Sequence, residues 1–198
     1  TGDFRIQCLH SSNNELLFKI NPLSKGGAFP YDPYFLILDR VRYNFRLSKV
    51  KDRRSFSFAG IFSNGDWLFQ RYDYNLNRLE FLKVDTLDQV KENGYLNINY
   101  SSQNIYGSTI DGKDRILVWG DTAYFPNRLH RAFLKVMDEN LLLLKSIQIG
   151  PSAANLSRRI FFRPLKVLET DDRGYLIVGD KAEFVEFGNY TAWFYRLD

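Results

Sequence analysis

Two short blocks alternate along this chain, and they constrain its fold more than anything else in the sequence. The first is a polar turn that leads into an apolar run. It reads Ser11-Ser12-Asn13-Asn14-Glu15-Leu16-Leu17-Phe18, then Ser63-Asn64-Gly65-Asp66-Trp67-Leu68-Phe69, then Asp111-Gly112-Lys113-Asp114-Arg115-Ile116-Leu117-Val118-Trp119. Its fullest copy is Glu169-Thr170-Asp171-Asp172-Arg173-Gly174-Tyr175-Leu176-Ile177-Val178-Gly179. The second block is a phenylalanine-led run ending in aspartate: Phe35 to Asp39, Phe81 to Asp85, Phe133 to Asp138 and Phe194 to Asp198. The blocks alternate without exception at a period of roughly fifty residues, in the range where repeats signal stacked supersecondary units.

Each unit has room for two further strands. Val41, Tyr43, Phe45 and Leu47 alternate with Arg40, Arg42, Asn44, Arg46 and Ser48, the period-two pattern of a strand with one buried and one wet face. Tyr95 to Tyr100 and Leu141 to Ile149 supply the fourth strand of the next two units. Phe4 to Leu9, Ser55 to Ile61, Ile105 to Ile110 and Ile160 to Leu168 supply the first strands. An aromatic content of 16% with a single methionine suits pleated, half-buried surfaces. Runs such as Ile116 to Trp119 and Tyr175 to Val178 are apolar on both faces, as a strand held between two sheets requires.

Four antiparallel strands per unit of this length is the pattern of a β-propeller blade. The expected fold is all-β, a single propeller or propeller fragment over residues 1–198, with blades at about 1–50, 51–104, 105–158 and 159–198. The last blade shows three strands, so the expectation is a portion of a larger propeller, with a complete four-bladed ring as the other reading.

The stretch Glu169 to Gly179 resembles the turn-and-strand element of propeller-type repeat proteins in secreted and lipoprotein families of Bacteroidetes. Ala192-Trp193-Phe194-Tyr195-Arg196-Leu197-Asp198 and Ala132-Phe133-Leu134-Lys135-Val136 are similar to the strand that follows it in those families. The match is good in the second half of the chain and poor in the first; Arg173 stands where the family has glycine. The resemblance implies an extracellular, cell-surface or periplasmic location, as a part of a larger envelope assembly. It carries no catalytic residues. Asp85-Thr86-Leu87 and Asp121-Thr122-Ala123 also resemble the O-glycosylation acceptor of that phylum, a tripeptide that is frequent by chance.

The chemistry-bearing residues are sparse. Two histidines, His10 and His130, sit in no triad context, and one cysteine with two histidines cannot build a zinc site. Cys8, inside an alternating run, reads as a small core residue. Asp171-Asp172 and Asp111 to Asp114 lack the full spacing of a calcium loop and read as turn residues. Hence no catalytic, cofactor-binding or metal-ligating set is expected, and no cofactor.

Two surfaces remain as candidates. Arg40, Arg42, Arg46, Arg53 and Arg54 form the densest basic patch, which reads as a solvated outer strand. The net charge is only +4, and the neighbouring aromatics alternate to the opposite face, so nucleic acid is not the expected partner. Long connections between second and third strands place Phe29, Tyr31, Tyr124, Phe125, Phe187 and Tyr190 on one rim, suited to a protein partner or a glycan. No apolar run is long enough to span a bilayer. The expected function is therefore a non-catalytic, exported interaction or scaffold module with protein partners; the alternative is a glycan-binding or glycan-processing propeller.

Overall fold

The computed structural model describes residues 3–11, 15–23, 34–47, 56–73, 75–87, 89–98, 103–124, 129–150, 160–172, 174–183 and 190–197. These form fifteen strands and no helix. The first unit holds β1 (Asp3–Ser11), β2 (Glu15–Leu23), β3 (Tyr34–Asp39) and β4 (Asn44–Leu47). The second holds β5 (Ser57–Ile61), β6 (Trp67–Asp73), β7 (Arg78–Val84) and β8 (Val90–Asn97). The third holds β9 (Gln103–Ile110), β10 (Ile116–Tyr124), β11 (Leu129–Met137) and β12 (Leu143–Ile149). The fourth holds β13 (Ile160–Glu169), β14 (Tyr175–Glu183) and β15 (Tyr190–Leu197).

Every unit is an antiparallel meander in sequence order. The third and fourth units are linked by a single parallel bridge, His130 opposite Phe161. Both repeated blocks have a backbone reason. In the first, a residue before the turn donates to a carbonyl four positions on: Phe62 N to Asp66 O, Asp111 N to Arg115 O and Thr170 N to Gly174 O. In the second, the closing aspartate caps the turn between third and fourth strands. Asp39 Oδ1 accepts from the N–H groups of Val41 and Arg42, Asp85 Oδ1 from Leu87 and Gln89, and Asp138 Oδ1 from Asn140 and Leu142. A short carboxylate that bonds its own backbone a few residues on is the chemistry aspartate brings to turns.

The core is not inside any one sheet. It lies at the three junctions between successive units. Leu17, Phe35 and Ile37 pack on Phe56, Trp67, Phe69 and Val84. Leu68, Leu79, Phe81 and Leu96 pack on Ile116, Val118, Met137 and Leu141. Leu117, Trp119, Leu134 and Val136 pack on Val167, Tyr175, Ile177 and Trp193. Alternate residues of β10 thus enter different junctions, Ile116 and Val118 on one side and Leu117 and Trp119 on the other. Strand β6 divides in the same way. Each fully buried Leu, Ile or Phe contributes about 1.5–3 kcal/mol, so a meander unable to bury both faces alone is stabilised by its neighbours.

The first strand of each unit carries an irregularity that the sequence pattern did not show. The pairing with the second strand skips Leu9, Ala59, Tyr106 and Leu165. Such a bulge increases local twist and bends the strand. Two glycines are demanded by close approach nearby. A Cβ on Gly120 would lie 1.9 Å from the Asn104 carbonyl oxygen and one on Gly179 would lie 2.3 Å from that of Arg163.

Two sequence expectations are corrected. Residues 40–43 are a turn rather than the start of a strand, because Asp39 caps it. Val41, Tyr43 and Phe45 are accordingly exposed instead of forming a buried face, and Tyr43 has a left-handed φ of 52°. Cys8 is exposed on β1 rather than a small core residue.

Candidate functional site

Neither sequence-derived surface is assembled as a site by the described residues. Phe29, Tyr31, Phe125, Phe187, Arg53 and Arg54 lie outside them. Tyr124 ends β10 and Tyr190 begins β15, so their backbones stand at the mouths of the second-to-third-strand connections. Arg40 and Arg42 are exposed on the capped turn, with Arg42 Nε 3.9 Å from Asp39, and Arg46 lies on β4 opposite Ile37. The carboxylates of the turns are engaged structurally. Asp114 Oδ1 accepts from Ser63 N at 2.6 Å, Asp111 Oδ2 from the Tyr175 hydroxyl at 2.5 Å, and Asp172 from Thr170 and Arg196. Thr122 is buried, so the Asp121-Thr122-Ala123 tripeptide presents no accessible hydroxyl.

Two constellations do emerge. The first is polar. Asp121 is fully buried, its Oδ1 accepting from Asn104 Nδ2 at 2.7 Å and its Oδ2 from the Tyr106 hydroxyl at 3.0 Å. Tyr106 is the bulged residue of β9, which is what turns its ring toward Asp121. Burial and then the Asp121 carboxylate push the Tyr106 phenol far above its ordinary pKa, against the opposing charge of Arg163. The phenol therefore stays protonated and acts as a donor. Arg163 in turn is paired with Asp180 through Nε at 3.1 Å. These bonds tie β9 to β10 and β13 to β14. Gly120-Asp121 and Gly179-Asp180 recur at equivalent points of their units, the sequence signal that could have found it.

The second is a cleft of about 1120 Å³ around β8, the outermost strand of the second sheet. On one side of β8, Glu80 is held between two guanidiniums: Arg71 Nε donates to Oε2 at 2.5 Å and Arg78 Nε to Oε1 at 2.8 Å. Arg71 stacks on Phe56 at 4.8 Å and Arg78 on Tyr95 at 5.1 Å, which fixes the planes of both groups. On the other side, the turn between β11 and β12 supplies Asn140, Leu141 and Leu142. Leu141 is buried at a left-handed φ of 64° and presses on Gly94, where a Cβ would lie 2.5 Å from its Cδ1. The rim is apolar and wet: Val90, Tyr95 and Leu142 are 48%, 57% and 64% exposed. The sequence signal was the run Leu141-Leu142-Leu143-Leu144, since a strand buries alternate residues and cannot cover four in a row on one sheet face.

No family model matches the chain, and no curated protein sequence matches it. Among solved structures it is similar to a luciferin-regenerating enzyme, at 10% identity and a TM-score of 0.47. The alignment covers 89% of this chain, which spans 54% of that one. A likeness at this level carries no reading of activity.

Proposed function

We propose that the four units are blades of a β-propeller and that the chain is a binding module, exported and acting through protein contacts in an envelope or surface assembly, with no reaction of its own. The blade arrangement is supported by two features. Second and third strands of the central units pack on both neighbours, and the first strands of successive units approach one another, β5 to β9 and β9 to β13. Blades set around an axis have that relation. The observation that carries the interaction reading is the cleft around β8, with Val90, Tyr95 and Leu142 left wet around an apolar floor. Apolar groups grouped at a concave surface mark binding sites more often than scattered ones do. Export and the envelope setting rest on the family resemblance of Glu169 to Gly179, Ala132 to Val136 and Ala192 to Asp198 alone.

A glycan-binding role is the second reading, favoured by exposed Tyr95 beside the Asn93 and Asn140 amides in the same cleft. Chemical cross-linking in the organism that makes the chain, followed by affinity recovery, separates the two. Recovery with a stoichiometric protein partner supports the interaction module; recovery as a monomer that binds a glycan array sinks it.

A further inference from the structure

We propose that the open edge of β8 binds an extended peptide segment, which adds to the second sheet as a fifth strand. Its acidic side chains reach Arg71 and Arg78 and its apolar side chains reach Leu141 and Leu142. This deepens the interaction reading above and rests on it.

The geometry comes from β8 itself. It pairs with β7 alone among the described strands, so its other edge presents backbone N–H and C=O groups outward. An exposed strand edge is a template for another strand unless something blunts it. The first half of β8 is blunted, because the pairing skips Lys91, and Lys91 and Glu92 put charge there. The second half, Asn93 to Asn97, has no charge, no proline and no bulge. The fourth strands of the first and third units differ. Four-residue β4 is short, and β12 carries Lys145 within its exposed stretch.

A strand added beside β8 points successive side chains to opposite faces of the sheet. The cleft is lined on both of those faces, as that geometry needs. Tyr95 pairs with Glu80, placing one set of incoming side chains over Arg71, Arg78 and Asn93; Gly94 pairs with Phe81, placing the other over Leu141 and Leu142. The two faces ask for different chemistry. The described lining has two arginines and one glutamate, an excess of positive charge. The arginine side chains are only 35% and 30% exposed, where a carboxylate gains more from a charge-assisted bond than it would in open water. Opposite them, exposed Leu142 offers apolar area beside the buried Phe81 and Leu141. The occupant is thus a peptide alternating acidic and apolar residues.

The test is selection from a random library of ten-residue linear peptides on the intact chain, with affinities by fluorescence polarisation. Selected peptides are expected to alternate carboxylate and apolar residues and to slow hydrogen exchange at the amides of Asn93 to Asn97. The double variant Arg71→Gln with Arg78→Gln, and separately Leu142→Glu, should weaken them at least about tenfold, while Leu144→Glu, outside the cleft, leaves affinity unchanged. N-methylation of alternate peptide amides should abolish binding, because it removes the strand pairing and keeps the side chains. Selection of no peptide, peptides without carboxylates, equal binding after N-methylation, or protection elsewhere would each overturn the assignment. A chain recovered with a stoichiometric partner that nonetheless selects no such peptide retains the interaction reading and loses only the β8 site.

Discussion

The junction between the second and third units and the junction between the third and fourth are built on one plan with different residues. At the turn end of each, one backbone N–H donates to a carboxylate of the next unit: Ser63 N to Asp114 at 2.6 Å, and Gly112 N to Glu169 at 2.7 Å. Midway along, one side chain of the second strand meets the next unit's first strand. Gln70 Oε1 accepts from the Ser108 hydroxyl at 2.7 Å, whereas Trp119 Nε1 donates to the carbonyl of Leu165, the bulged residue of β13, at 3.3 Å. The later junction adds a buried network, in which Asp111 takes bonds from Tyr175 and from the Arg115 N–H and guanidinium. The plan is set by backbone geometry that every unit shares. The strength of each junction is set by what fills it.

Substitutions at equivalent places should therefore break the two junctions unequally. The largest effect is expected inside the third unit rather than at a junction, at Gly120, whose counterpart in the second unit is Arg71. Gly120→Val must displace the β9 backbone at Asn104, and a loss of about 3 kcal/mol or more, or failure to fold, should appear in urea unfolding. Trp119→Ala should destabilise by about 3–5 kcal/mol, since it empties a buried indole from the later junction. Its counterpart Gln70→Ala, which removes one neutral hydrogen bond, should stand near 1 kcal/mol.

Between these lies Tyr175→Phe, expected at about 1.5–3 kcal/mol because it strips a donor from a buried carboxylate. The same network has a pH signature. Burial alone would raise the Asp111 pKa, but the bonds from Tyr175, Arg115 and Lys113 outweigh it and hold the carboxyl below its ordinary value. A depressed folded pKa gives stability that is full above the unfolded value of about 3.9 and is lost as pH falls through the folded one. Asp111→Asn should flatten that acid limb in unfolding measured from pH 6 to pH 2, whereas Gln70→Ala should leave its slope unchanged. The smallest effect is expected from Ser63→Ala, which removes the hydroxyl bond to Asp114 and keeps the N–H bond; well under about 1 kcal/mol should be lost at this exposed turn.

Much of this architecture was legible in the residues. Eight alternating blocks placed four units, and the two-sided apolar run of Ile116 to Trp119 announced a strand shared by two junctions. The site was far less legible. Asn93 and Tyr95 are unremarkable as letters, and they meet the Leu141-Leu142 pair only because the turn before β12 folds over Gly94. The alternation of Val41 to Leu47 misled for the converse reason. Its period is that of a strand, but the Asp39 cap takes its first residues into a turn.

Local pattern therefore determined the repeat, the strands and the acids of the turns, because turn capping and side-chain alternation act within a few residues of the chain. Tertiary structure alone decided the bulges at Leu9, Ala59, Tyr106 and Leu165, the exposure of Cys8, the burial of Asp121 and the open edge of β8. Each of those depends on which sheet lies against which face. A side chain is buried or wet according to its neighbour across the junction, and that neighbour lies roughly fifty residues away in sequence.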